Sequence, residues 1–69
     1  MKTKKELLQD YLEAAQEALI KIEIRSEYVQ NKHAADGRNA WLQEMAELTA
    51  NKKETEEWVT FVKGKLAKE

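Results

Sequence analysis

Hydrophobic side chains recur at helical spacing along two stretches of about thirty residues each. The first stretch carries Leu8, Leu12, Ala15, Leu19, Ile22 and Val29, with Leu7, Tyr11 and Ala18 widening the apolar face. The second carries Trp41, Met45, Leu48, Thr55, Val59, Val62 and Leu66. Spacings of three, four or seven residues put each set on one side of an α-helix. The pattern predicts an all-α protein with two long helices, over about residues 4–35 and 39–67.

A short segment between these stretches is typical of a tight connection. Gly37 suits the left-handed conformation that commonly follows a helix end, and Asn39, or alternatively Asp36, can cap the next helix. Thr3 followed by Glu6 has the form of a capping box, so the first helix should begin near residue 4. A connection this short makes the helices antiparallel. We therefore expect a helical hairpin that forms a single domain over residues 1–69.

The middle of the second stretch allows an alternative fold. Residues 51–54, Asn-Lys-Lys-Glu, resemble a second capping box, which would give a three-helix bundle with a break near 50–53. However, the apolar stripe keeps its phase across this segment, because seven-residue intervals separate Trp41, Leu48, Thr55 and Val62. We therefore expect one continuous helix, with fraying after Gly64.

Folding the chain about residue 37 predicts which side chains face each other across the hairpin. Ala15 comes opposite Val59, at the end of the hairpin that holds both termini, which we call the open end. In the middle, Ile22 comes opposite Lys52, where apolar meets charged. The contact between the helices should therefore be weakest at its middle.

Both helices carry more apolar side chains than one antiparallel neighbour can cover. A core of this size rarely contributes more than about 3–5 kcal/mol, and the chain has no cysteine for disulfides and a single histidine. We therefore expect burial by another chain, in the simplest case a homodimer that forms a four-helix bundle. The predicted protein interface consists of the side chains that lie beside or away from the two stripes: Ile20, Ile24, Tyr28, Leu42, Trp58 and Phe61.

Composition and charge narrow the class of protein. The chain has 12 basic and 13 acidic residues, so no overall field attracts nucleic acid or an acidic membrane. No apolar run approaches the length of a membrane span or of a signal-peptide core. Together with the absence of cysteine, this predicts a cytoplasmic protein without membrane contact.

Lysines gather where the antiparallel fold brings the two chain ends together. A possible anion contact there consists of six side chains: Lys2, Lys4, Lys5, Lys63, Lys65 and Lys68. Lysines near the end of the second helix already complement its dipole, whereas those at the start of the first oppose it. The alternative function is therefore a nucleic-acid accessory protein whose lysine-rich end contacts phosphates.

Motifs that carry catalytic chemistry do not occur in the sequence. His33 stands near the turn with no cysteine or metal-ligand cluster, and no glycine-rich phosphate loop is found. We expect no enzyme activity, no cofactor and no metal. The main hypothesis is a small interaction or regulatory protein, of the inhibitor, antirepressor or adaptor type.

Overall fold

In a computed structural model that describes residues 1–69, the chain forms two α-helices. Helix α1 spans Lys4–Asp36 and helix α2 spans Asn39–Lys68, and they pack against each other as an antiparallel hairpin 49 Å long, 17 Å wide and 15 Å thick. The predicted hairpin is confirmed. Helix α2 runs unbroken through residues 50–53, so the three-helix alternative is wrong. Helix α2 continues past Gly64 to Lys68.

The start of α1 follows the predicted cap. Thr3 has an extended backbone, and its hydroxyl oxygen accepts a hydrogen bond from the backbone N–H of Glu6 at 3.2 Å. The same hydroxyl also donates to the Glu6 carboxylate at 3.2 Å. This cap satisfies one of the N–H groups that an α-helix leaves free in its first turn.

The connection between the helices consists of Gly37 and Arg38. Gly37 adopts the predicted left-handed conformation, with φ of 66°, and its N–H donates to the carbonyl of His33 at 2.7 Å. Residue type predicted Asn39 as the cap of α2. This prediction is wrong, because Asn39 is already the first helical residue. The N-cap position belongs to Arg38, whose N–H donates to the Asp36 carboxylate at 3.1 Å. Asp36 thus closes the turn in place of Asn39.

The core of the hairpin is small and comes entirely from the two predicted stripes. Five residues are buried: Leu8, Ala15, Val29, Val59 and Val62. Most of the other stripe residues are half-buried, among them Leu12, Leu19, Ile22, Trp41, Met45, Leu48 and Leu66. Two adjacent helices cover only one side of each other, so most of the chain stays in contact with solvent.

The middle of the hairpin contains no buried residue, in line with the expected weak point. None lies between 16 and 28 or between 30 and 58. Lys52 occupies a stripe position by its spacing from Met45 and Val59, yet it is exposed. Thr55 is half-buried, and its hydroxyl donates to the Asn51 carbonyl of the same helix at 2.8 Å. The buried side chains therefore form two groups, a larger one towards the open end and Val29 near the turn.

Contacts along one side of the hairpin show how the helices align. They join Tyr11 to Trp58, Arg25 to Glu44 and Tyr28 to Trp41. In each pair the α2 residue lies nearer the turn than folding about residue 37 predicts. The expected pairing of opposite positions therefore does not hold along this side.

Candidate protein-interaction surface

Three aromatic rings form a continuous exposed patch across both helices, which we call the aromatic edge: Tyr11, Trp58 and Phe61. The Tyr11 ring meets Trp58 edge to face, with centroids 5.8 Å apart and planes at 78°. Trp58 stacks on Phe61, with centroids 5.8 Å apart and planes at 17°. The three residues remain 55%, 42% and 54% exposed. Both geometries are ones that aromatic pairs prefer, so the rings hold one another in place.

Helical spacing explains why these rings meet. Tyr11 directly precedes the stripe residue Leu12, and Trp58 directly precedes Val59, so each lies at the rim of its stripe. In this antiparallel pair the two rims come together on the same side. Phe61 follows Trp58 by three residues and therefore lies about one turn further along that rim.

Tyr11 is the member of this patch that is missing from the predicted interface. Its spacing from Leu7 and Leu8 allows it to be taken as a widening of the apolar stripe. The available signal was its position immediately before a stripe residue, which Trp58 shares.

A positive charge borders the aromatic edge. The Lys65 ammonium lies 5.6 Å from the centroid of the Phe61 ring, within range of a cation–π interaction. The apolar rings are therefore flanked by a cation that can contact polar groups at the margin of an interface.

A second aromatic pair lies near the turn and is occupied by contacts within the hairpin. Tyr28 meets Trp41 edge to face at 6.2 Å, and its ring has the guanidinium of Arg25 at 4.9 Å and the ammonium of Lys32 at 5.6 Å. Arg25 also donates to the Glu44 carboxylate through Nε at 3.0 Å and through Nη2 at 2.8 Å. Tyr28, although 45% exposed, thus helps to join α1 and α2.

The other predicted interface residues are exposed but lie elsewhere. Ile20 and Ile24 are 57% and 62% exposed, and their spacing from Leu19 and Ile22 puts them on the outward side of α1. Leu42 directly follows Trp41 and lies on the opposite rim of α2 from Trp58. The six predicted side chains therefore do not form one surface, and only Trp58 and Phe61 belong to the aromatic edge.

Ion pairs reduce the positive charge at the open end. The Lys4 ammonium lies 2.9 Å from the Glu69 carboxylate, and Lys2 pairs with Asp10. The hydrogen bond to Asp10 raises the pKa of Lys2. Lys65 lies against Phe61, and the others of the six, Lys5, Lys63 and Lys68, have no ion pair. Two of the six lysines of the predicted anion contact are therefore paired with carboxylates of the same chain.

The remaining surface has few features that suggest chemistry. One shallow depression lies on the solvent side of α2 and is lined only by Lys53, Glu56, Glu57 and Thr60. No group of three or more histidine, cysteine, aspartate or glutamate side chains is placed to hold a metal ion. Neither helix has a segment of the length and apolarity needed to cross a membrane.

Comparisons with protein families, with curated proteins and with solved structures find no match to the chain. The aromatic edge and the other exposed side chains are therefore the grounds on which a function can be inferred.

Proposed function

We propose that this is a small, non-enzymatic interaction protein of the cytoplasm, an inhibitor, antirepressor or adaptor in type, which binds another protein chain through exposed apolar side chains. The aromatic edge carries this proposal. Single exposed apolar residues are ordinary on protein surfaces, whereas contiguous patches mark interaction sites. Tyrosine and tryptophan are also the residue types that most often dominate binding energies.

The arrangement of the rings supports binding with little loss of conformational freedom. Trp58 is held between Tyr11 and Phe61, so its ring is already positioned before a partner arrives. Fixing a mobile side chain in an interface costs about 0.5–1.5 kcal/mol, and side chains that are already ordered avoid much of this cost.

The thin core gives a second line of support. With five of 69 residues buried, the hairpin has little apolar burial to offset the entropy of folding. Covering the aromatic edge would bury additional apolar area at about 25 cal/mol per Å². Binding a partner would therefore also stabilise the hairpin.

Photo-crosslinking in the native host tests the proposal. A photoreactive residue placed at the exposed Ala14, three positions after Tyr11, should give an adduct of discrete mass. Combining it with Phe61→Glu should abolish that adduct, and combining it with Ile24→Glu, a change of similar size on the outward side of α1, should preserve it. An adduct that survives Phe61→Glu, or none at all, would overturn the proposal.

The nucleic-acid alternative gains no specific support from the structure. Its main feature is the lysine-rich open end, where Lys2 and Lys4 already pair with carboxylates. We therefore propose no second function.

A further inference from the structure

We propose that the chain covering the aromatic edge is a second copy of the same chain, related by a twofold axis parallel to the length of the hairpin. This rests on the proposed function, since it names the partner of that same surface. In this dimer α1 of each copy lies against α2 of the other. The four helices form a bundle.

The side of the hairpin that bears the aromatic edge has a polarised composition. Between the level of Leu7 and that of Arg25, seven-residue spacing puts the following side chains on this side: Leu7, Tyr11, Ala14, Ala18, Lys21 and Arg25 on α1, and Phe61, Trp58, Glu54, Asn51, Glu47 and Glu44 on α2. The half near the open end is apolar apart from Glu54, and Lys4, Lys65 and Lys68 follow at its outer end by the same spacing. In the half near the turn, α1 is basic and α2 is acidic.

Under the proposed axis, the basic part of α1 in one copy faces the acidic part of α2 in the other. Arg25 and Glu44 are in contact within one hairpin, and Lys21 and Glu47 each lie about one turn nearer the open end, so they stand at the same level. Rotation about a parallel axis brings Lys21 of one copy opposite the partner's Glu47. Within its own hairpin Lys21 has only Glu17 as an ion-pair partner, at 3.8 Å, and Glu47 has none.

The area available also favours a parallel axis. A contact along the whole hairpin can extend over 49 Å by 17 Å, which leaves room for the roughly 800 Å² per partner that standard interfaces bury. An antiparallel dimer centred on the aromatic edge would overlap far less. Tyr11 is only seven residues, about 10 Å, from the start of α1, so the overlap would be about 20 Å long.

The open ends of the two copies lie side by side in this dimer. Their lysines repel one another less than their number indicates, because Lys4 is paired with Glu69 and Lys2 with Asp10. Ile20 and Ile24 remain uncovered on the outward side of α1.

The oligomeric mass of purified protein tests the identity of the partner. We expect a dimer that Phe61→Glu dissociates and Ile24→Glu does not. Loss of a dominant interface residue weakens binding about thirtyfold, and the twofold axis applies that loss twice, so the dimer Kd should rise about a thousandfold. A wild-type protein that is monomeric at tens of micromolar would overturn the inference.

Charge exchange tests the pairing. Lys21→Glu and Glu47→Lys should each weaken the dimer about tenfold, since each change places like charges together at two symmetric sites. The double variant should recover most of the wild-type affinity. Additive losses in the double variant would show that these residues do not face each other and would overturn the proposed axis.

A distance measurement tests the orientation directly. The chain has no cysteine, so Arg38→Cys gives a single spin-labelling site at the turn. A parallel axis puts the two labels within about twice the 15 Å thickness of the hairpin, whereas an antiparallel dimer separates them by more than its 49 Å length. A long distance would overturn the axis and leave the proposed function standing. If the purified protein is a monomer but its cellular adduct is lost with Phe61→Glu, self-pairing alone is overturned. If the protein is a monomer and the adduct survives Phe61→Glu, both self-pairing and the proposed function are overturned.

Discussion

Val62→Ala should remove a large share of the stability of the hairpin. Val62 is fully buried, in the group of buried side chains towards the open end. The substitution deletes two methyl groups, a transfer loss of about 1.6 kcal/mol, and the cavity left behind adds to it. Alanine favours the helix over valine by about half a kcal/mol, which offsets part of the loss. The net expectation is about 1–2 kcal/mol.

This loss is a large share because the total free energy of unfolding of the hairpin is small. A single core of this size contributes about 3–5 kcal/mol, so the variant should lose about a third of it and melt about 10 °C lower. Urea unfolding followed by far-ultraviolet circular dichroism, at several protein concentrations, measures the difference separately from self-association.

Thr60→Ala provides the matched control. It also replaces a β-branched residue of α2 by alanine, but at an exposed position where the hydroxyl contacts only the Glu56 carbonyl of its own helix. It should leave stability unchanged or slightly higher. A loss below about 0.5 kcal/mol for Val62→Ala, or equal losses for both variants, would refute the assignment of Val62 to the core.

Four further changes test the start of α1 and the turn, each against the wild-type unfolding curve. Thr3→Ala removes the cap of α1 and should cost about 0.5–2 kcal/mol, whereas no loss would mean that the observed hydrogen bond does not hold in solution. Gly37→Ala should cost about 1–2 kcal/mol, because φ is 66°. No atom lies near the new methyl group, so Gly37→Asn should cost less. The hydrogen bond from Arg38 lowers the pKa of Asp36 below its ordinary 3.8, so this carboxylate stabilises the fold above that pH and stops doing so as the pH falls through its folded value. The free energy of unfolding of Asp36→Asn should therefore fall less steeply below about pH 4 than that of the wild type. Curves of unfolding free energy against pH that run parallel for the two proteins would contradict this reasoning.

The two helices were predictable to within one residue at each end because their signals are local and repeated. An unbroken seven-residue pattern outweighs the single capping-box resemblance at residues 51–54, since the stripe must keep facing its neighbour. The polar middle was predictable from Lys52 and Thr55 for the same reason.

The turn was harder to predict in detail. Asp36, Arg38 and Asn39 lie within four residues, and both Asp36 and Asn39 suit a cap by residue type. Only the backbone angles decide which of them is used, and the left-handed Gly37 turns the chain so that Asp36 reaches the Arg38 N–H.

The aromatic edge could not be predicted from the residue spacing within either helix alone. Spacing places Tyr11 and Trp58 at the rims of their own stripes, but which rims meet is decided by the handedness and alignment of the pair. Spacing also shows that Ile20, Ile24 and Leu42 are exposed without showing that they lie apart from the aromatic edge.

Each of the two groups of buried side chains has a tryptophan at its own end of the hairpin, which can serve as a fluorophore. Trp41 is half-buried beside the turn, and Trp58 is more exposed towards the open end. Because no buried residue lies between the two ends, we expect one end to loosen while the other stays closed. The emission of single-tryptophan variants would then report which end opens first.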